Sequence, residues 1–102
     1  MGVSRLAHAA ASLVLLHLIP ASASAFNIAS YCQDVSEAVG GSYQIELACR
    51  QQEEAARSRL NVMDIPERVR NYCTEVAQAV GGSYQIMVAC VEQELEAKSR
   101  LQ

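Results

Sequence analysis

A segment of 19 residues that carries a cysteine near its start and another at its end occurs twice in this chain, and no other feature narrows the possible folds as much. The first copy, YCQDVSEAVGGSYQIELAC, begins at Tyr31, and the second, YCTEVAQAVGGSYQIMVAC, begins at Tyr72. Aligned without gaps over residues 31–60 and 72–101, the copies are identical at 19 of 30 positions. One supersecondary unit is therefore predicted to occur twice.

Each copy has the pattern of a helical hairpin. In the first arm, Cys32, Val35 and Val39 recur at three- and four-residue steps, which is the spacing of one helical face. The glycine pair at 40–41 is expected to end this helix, because glycine reaches the left-handed conformation at little steric cost. Ser42 can then cap the next helix with its hydroxyl. A β-hairpin is disfavoured, since the flanking segments lack strict alternation and are rich in helix-forming residues.

We predict an all-α fold, in which two tandem disulfide-stapled helical hairpins form a small four-helix domain. The expected helices span about 27–39, 43–60, 65–80 and 84–101. Asp64 is predicted to cap the third helix, with Pro66 in its first turn and Glu67 three residues after the cap. No linker is long or Gly/Ser-rich enough to separate independent domains. Residues 26–102 are therefore expected to form a single small domain of two repeats, at about 27–60 and 65–101.

Residues 1–25 have the pattern of a secretory signal peptide. Arg5 gives a positive start, an apolar run follows over residues 9–19, and Pro20 precedes a stretch of small residues. An uncleaved membrane anchor is the alternative, although the apolar run is shorter than the roughly 20 residues that span a bilayer.

Cleavage is expected after Ala25, with Ala23 as the alternative site, so that the mature protein begins at Phe26. Loss of Arg5 leaves 7 basic residues against 11 acidic ones, and the net charge becomes −4. This charge disfavours nucleic-acid binding, which requires a basic surface. We expect the mature protein in the periplasm or outside the cell, without stable insertion into a membrane.

All four cysteines lie in the predicted mature segment, and an even number in a short exported chain indicates disulfides. Cys32 lies eight residues before the first glycine pair and Cys49 eight residues after it, so the two would lie level across an antiparallel hairpin. Cys73 and Cys90 repeat this arrangement around the second pair. We therefore predict the disulfides Cys32–Cys49 and Cys73–Cys90.

The residue types needed for catalysis or metal binding are sparse. Each cysteine pair has a gap of sixteen residues rather than the two of a C-x2-C motif, and both histidines, His8 and His17, lie in the signal segment. The mature chain therefore lacks the usual base of a hydrolytic triad. We assign no catalytic, metal-binding or cofactor-binding residue and expect no enzyme activity and no cofactor.

The acidic runs and the tyrosines are interpreted structurally. Glu53, Glu54 and the glutamates between residues 92 and 96 are expected to be solvated helix surface rather than acid–base pairs. The tyrosines at positions 31 and 43, and those at 72 and 84, are expected to pack across their own hairpins.

The last helix differs from its counterpart along one face. The first hairpin carries an alternating-charge face there, typical of solvent exposure, formed by Glu46, Arg50, Glu54 and Arg57. At the first three of these positions the second hairpin carries Met87, Val91 and Leu95. This apolar stripe must be covered either by the rest of the chain or by a partner, and the sequence leaves both alternatives open.

The motif YC-x7-GGSY-x5-C, from Tyr31 to Cys49, resembles short exported bacterial proteins, chiefly from alphaproteobacteria, that have no assigned function and carry the motif singly or in tandem. The resemblance covers most of the mature chain and implies export, but it brings no activity with it. A looser likeness links the chain to the twin-cysteine helical hairpins of the mitochondrial intermembrane space. Those hairpins carry two cysteines per helix, whereas this chain carries one.

These patterns favour a small exported scaffold or protein-binding module that works through surface contacts. The expected partner is an envelope or extracellular protein, or a second copy of the chain in a homodimer. The alternative function is that of a thiol-based redox or metal-handling protein of the periplasm.

Overall fold

The computed structural model describes residues 25–102, and the predicted signal segment up to residue 24 lies outside this range. The described part contains four helices, α1 (Ile28–Ala38), α2 (Tyr43–Val62), α3 (Glu67–Ala79) and α4 (Tyr84–Arg100). The prediction of an all-α fold is confirmed, and every helix end lies within two residues of the expected position. None of these four helices is both long enough and apolar enough to cross a membrane.

The two turns that join paired helices have nearly the same conformation. We call Gly40–Tyr43 the first turn and Gly81–Tyr84 the second turn. The glycines have φ angles of 99° and 85° in the first turn and 99° and 88° in the second, so all four are left-handed. Chain reversal therefore depends on glycine at both turns, because other residues adopt this region only with strain.

Hydrogen bonds hold each turn to the helices on both sides. In the first turn, the Gly41 N–H donates to the Ser36 carbonyl at 2.8 Å, and the Gly40 N–H donates to Glu37, which is the Schellman arrangement. Ser42 caps α2 by accepting from the Ile45 N–H at 3.3 Å. Ser83 caps α4 in the same way at 3.2 Å. The glycine stop and serine start predicted from the sequence are confirmed.

The start of α3 differs from the prediction. Pro66, in extended conformation with ψ at 145°, takes the N-cap position, and no side chain caps the helix. The predicted cap by Asp64 is therefore wrong. A cap at Asp64 would require the helix to include Ile65 and Pro66, whereas the extended backbone at Pro66 delays the first helical residue to Glu67.

A disulfide joins the helices of each hairpin. Cys32 bonds to Cys49 between α1 and α2, with their Cα atoms 5.5 Å apart, and Cys73 bonds to Cys90 between α3 and α4, at 5.6 Å. Both pairings match the prediction, because eight-residue arms on either side of the glycine pair bring the two cysteines level. All four cysteines of the chain are used in these bonds.

The two hairpins meet through one pair of helices. Within each hairpin the helices pack on each other, and between hairpins α2 packs on α4, whereas α1 and α3 each pack only on their own hairpin partner. The helices therefore pack in the order α1, α2, α4, α3, each against the next, and do not surround a common centre as in a bundle. The buried apolar residues of the core are Ile28, Cys32, Cys49, Ala56, Leu60, Val69, Cys73, Ala77, Tyr84, Met87, Val88 and Val91.

The apolar stripe of the last helix belongs to this core. Met87 and Val91 are buried, and Leu95 is partly buried against them. Because α4 packs on both α3 and α2, it needs a wider apolar surface than a helix that packs on one neighbour. Of the two alternatives left open by the sequence, burial within the chain accounts for the stripe, and it is not an exposed partner surface.

Candidate functional site

The second turn is bound to the side of α2, and we call this contact the joint. At its centre lies the carboxylate of Glu53, which is completely buried. One carboxylate oxygen accepts from the Tyr84 N–H at 2.6 Å. The other accepts from the Ser83 hydroxyl at 2.8 Å and from the Gln85 N–H at 3.3 Å. A side chain of the first hairpin therefore caps the last helix of the second.

The buried position of Glu53 is stabilised by the helix that it caps. The first N–H groups of a helix have no partner within that helix, and the peptide dipoles concentrate positive charge at this end. A carboxylate there accepts hydrogen bonds from these N–H groups and is attracted by the positive charge, as anions are at helix N-termini generally. No side-chain nitrogen or oxygen buried within residues 25–102 lacks a hydrogen-bond partner. The joint thus combines a buried carboxylate with buried side-chain polar atoms that all have hydrogen-bond partners.

Aromatic contacts from the start of the first hairpin complete the joint. The Phe26 ring lies against the Tyr84 ring, with centroids 4.8 Å apart, and the Phe26 N–H donates to the Tyr84 hydroxyl at 3.0 Å. Tyr31 and Phe26 approach the backbone of Gly81 and Gly82 respectively. The second turn is therefore contacted by Glu53 and by these two aromatic residues.

The joint is a contact between unlike surfaces. Glu53 meets the start of α4, and further along both helices Arg59 pairs with Glu92 at 2.9 Å, so α2 and α4 run in the same direction. Glu53 is the tenth residue after Tyr43, the counterpart of Tyr84, and α4 is therefore displaced along α2 by about 15 Å. The later part of α2 contacts the earlier part of α4. This is a heterologous arrangement, which leaves the earlier part of α2 and the later part of α4 without this contact.

Alanine at Gly82 should destabilise the protein more than alanine at Gly41. Both positions have positive φ, so each substitution should cost about 1 kcal/mol in backbone strain. A Cβ at Gly82 would also lie 3.3 Å from the Phe26 ring, whereas nothing lies within 4 Å of one at Gly41. We expect an additional loss of about 1 kcal/mol for Gly82→Ala. Urea unfolding followed by circular dichroism measures both values, and equal losses would contradict the Phe26 contact.

The first turn is exposed although its sequence and conformation match those of the second. Tyr43 is 88% exposed, whereas its counterpart Tyr84 is 6% exposed. Leu47, one helical turn further along, is also exposed, while its counterpart Val88 is buried. Within residues 25–102, the first hairpin covers the second turn, whereas the first turn lies on the outer side of that hairpin and is left exposed.

The end of the second hairpin shows the complementary difference. Leu101 is 88% exposed, whereas its counterpart Leu60 is 6% exposed. Ala97 and Tyr72 are likewise more exposed than Ala56 and Tyr31. Together with four neighbours these residues line an open groove, which we call the terminal socket. It comprises Arg68, Val69, Tyr72, Glu94, Ala97, Lys98 and Leu101.

The exposure of two tyrosines differs from the prediction that all four pack across their own hairpins. Tyr43 is exposed at the first turn, and Tyr72 is more than half exposed. Tyr84 packs against Phe26, at the start of the other hairpin. The prediction did not include the contact of Tyr84 with Phe26, because the offset of the two hairpins is not encoded in either hairpin alone.

Glu53 is buried, and the prediction that it is solvated helix surface is therefore wrong. The sequence does contain a signal for it. Glu53 continues the buried face of Cys49, Ala56 and Leu60 at helical spacing and is identical in both repeats as Glu94, whereas its neighbour Glu54 is replaced by Leu95. A retained acidic residue on an apolar face indicates a specific partner for its charge.

Within residues 25–102, no group of three or more histidine, cysteine or acidic side chains is arranged to hold a metal ion. The features that can bind another molecule are two turns of the same conformation, one bound and one exposed, and two acidic residues at equivalent positions, Glu53 and Glu94.

No family model matches the chain, and no similar curated protein or solved structure was found.

Proposed function

We propose that the protein is a small exported scaffold or protein-binding module, without enzymatic activity, that binds through its exposed first turn. The observation that carries this proposal is the contrast between the two turns. The second turn, with the sequence Gly-Gly-Ser-Tyr, docks on a protein surface in the joint. The first turn has the same four residues in the same backbone conformation and is uncovered.

The exposed turn has the composition of a binding surface. Tyrosine supplies a large, rigid contact area with a polar end, and it is enriched at the energetic centres of interfaces. Leu47 and Ile45 add exposed aliphatic area next to Tyr43. The turn is also fixed by its glycine geometry and serine cap, so that little conformational entropy is lost on binding. These features support recognition of a protein partner by a rigid element.

The closed disulfides favour this proposal over a thiol-based redox or metal-handling function. Cys32 and Cys73 are fully buried, and each is bonded to a cysteine of the neighbouring helix. Thiol exchange requires access of a thiolate to a disulfide sulfur along the S–S axis, and burial of Cys32, Cys49 and Cys73 hinders it at three of the four sulfurs, while Cys90 is partly exposed. Two covalent staples in a domain of this size are consistent with an oxidising compartment, such as the periplasm or the exterior.

A photo-reactive residue at the first turn tests the proposal. We expect a Tyr43→p-benzoylphenylalanine variant, irradiated in living cells, to form a covalent adduct with a partner protein, because the side chain at this position points into solvent at the turn. The same substitution at Gln51, an exposed position of α2 in the first hairpin, is the matched control. Adducts at position 43 and none at position 51 would support the first turn as the binding site.

Two results would contradict the proposed function. The first is the absence of any adduct at position 43 under conditions that cross-link a known complex. The second is rapid labelling of native, unreduced protein by a maleimide, since free thiols would favour the redox or metal-handling alternative.

A further inference from the structure

We propose that the protein associates head to tail with further copies of itself, the first turn of one molecule docking in the terminal socket of the next. This proposal names the partner and so rests on the proposed binding role of the first turn. It extends the joint that already exists within the chain, because the surfaces exposed at the two ends are the counterparts of the surfaces that meet in the middle.

The terminal socket contains the counterparts of two residues that contact the second turn in the joint, since Glu94 matches Glu53 and Tyr72 matches Tyr31. Counting back by one repeat, the residues of the socket correspond to Asn27, Ile28, Tyr31, Glu53, Ala56, Arg57 and Leu60. Four of the seven types are identical, Val69 and Lys98 are conservative replacements, and Arg68 stands in place of Asn27. Glu94 therefore stands where Glu53 stands in the joint, on the same helical face, and is partly exposed at the groove. It can accept from the start of an incoming helix as Glu53 does.

The first turn supplies the matching surface. Ser42 and Tyr43 stand where Ser83 and Tyr84 donate to Glu53, and the glycine angles of the two turns agree within 3°. Docking in the socket would place the Ser42 hydroxyl and the Tyr43 N–H against Glu94. It would also cover Tyr43 at one end and Leu101 at the other, both of which are exposed in the single chain.

The geometry of the joint determines the kind of assembly. Because α2 and α4 run in the same direction with an offset, the same packing between molecules places the first hairpin of the next molecule beyond the second hairpin of this one. The contact is heterologous, so it does not close into a two-fold dimer, and each added molecule leaves a first turn and a socket free. Repeat proteins build their stacks in the same nearest-neighbour manner.

Two differences make this contact weaker than the joint. Glu67 stands in place of Phe26, so the ring contact with the docked tyrosine is lost. Arg50 stands in place of the buried Val91 and is bonded to Glu46 at 2.8 Å. The joint also benefits from its short linker, which supplies a high effective concentration. We therefore expect reversible association with a Kd on the order of 0.1 mM.

Complementation between two defective variants tests the proposal. Tyr43→Ala removes the docking side chain and leaves the socket intact, whereas Glu94→Ala disables the socket and leaves the turn intact. The first residue is exposed and the second partly exposed, so both variants should keep the wild-type circular dichroism and melting temperature. Glu96→Ala, which removes an exposed carboxylate of the same helix, is the control.

Sedimentation of the oxidised, exported protein at concentrations up to about 1 mM should distinguish the outcomes. We expect wild type and Glu96→Ala to form species larger than dimers, each defective variant to stay monomeric alone, and their equimolar mixture to stop at a dimer. Monomeric wild type, unchanged association of Glu94→Ala, or a mixture that does not associate would each overturn the proposal. If wild type is monomeric but position 43 cross-links to another protein, self-association fails and the proposed binding function stands.

Discussion

Replacing Glu53 with alanine should lower the free energy of unfolding by about 3 kcal/mol, because it removes a cap and leaves buried donors without an acceptor. The Tyr84 N–H and the Ser83 hydroxyl both lie in the buried joint and donate to this carboxylate. For a domain of this size, the loss corresponds to a fall in melting temperature of about 15 °C. Thermal and urea unfolding followed by circular dichroism measure it.

Two matched variants separate the cap from general effects of charge. Glu54→Ala removes the adjacent carboxylate, whose partner Arg57 lies on the exposed face, and should change stability by less than about 0.5 kcal/mol. Glu53→Gln keeps one acceptor oxygen but turns an N–H group toward a donor of the turn, so it should be intermediate. Equal stability of Glu53→Ala and Glu54→Ala would contradict the assignment of Glu53 as the centre of the joint.

Removing the second disulfide by the double substitution Cys73→Ala and Cys90→Ala should also cost about 3 kcal/mol, the value that the chain-entropy treatment gives for a closed loop of this length. Small domains are stable by only about 5–15 kcal/mol, so this loss approaches the limit of folding at physiological temperature. Because α4 carries the docked turn as well as the disulfide, partial opening of the second hairpin should also expose the joint.

The first disulfide provides the control for this prediction. Cys32 and Cys49 have the same sequence separation of 17 as Cys73 and Cys90, so the chain-entropy contribution of the two bonds is the same. We expect the corresponding double alanine variant to lose a similar free energy of unfolding, within about 1 kcal/mol. Urea titrations of the two double variants and wild type make the comparison. A loss below about 1 kcal/mol in either variant would show that packing alone holds that hairpin.

The hairpins could be predicted because their determinants are local. The left-handed glycines at 40–41 and the serine cap at 42 act within a few residues, and the cysteines are placed by counting along two short helices from the same turn. The missed cap at Asp64 shows the limit of such rules. A side chain with capping chemistry was present, but the extended conformation of Pro66 decided where the helix starts.

The relation between the hairpins could not be predicted in the same way. Both repeats carry the acidic residue, the turn and the socket residues, so the sequence is compatible with a two-fold pairing and with an offset pairing. The offset appears only in the three-dimensional contacts of Glu53 with the second turn and of Arg59 with Glu92. Whether a residue is buried then depends on whether it belongs to the first or the second hairpin, which is why the equivalent tyrosines at 43 and 84 differ so strongly in exposure.

The sequence by itself determined two disulfide-stapled helical hairpins, since the stop, the start and the level of the cysteines are all set by interactions between residues that are close along the chain. Only the tertiary structure decided which faces meet, that Met87 and Val91 are core, and that Glu53 caps the helix of the other hairpin. The physical reason is that these features depend on packing between repeats, where one surface pattern permits more than one arrangement and the complementary fit of a buried carboxylate to a helix N-terminus selects among them.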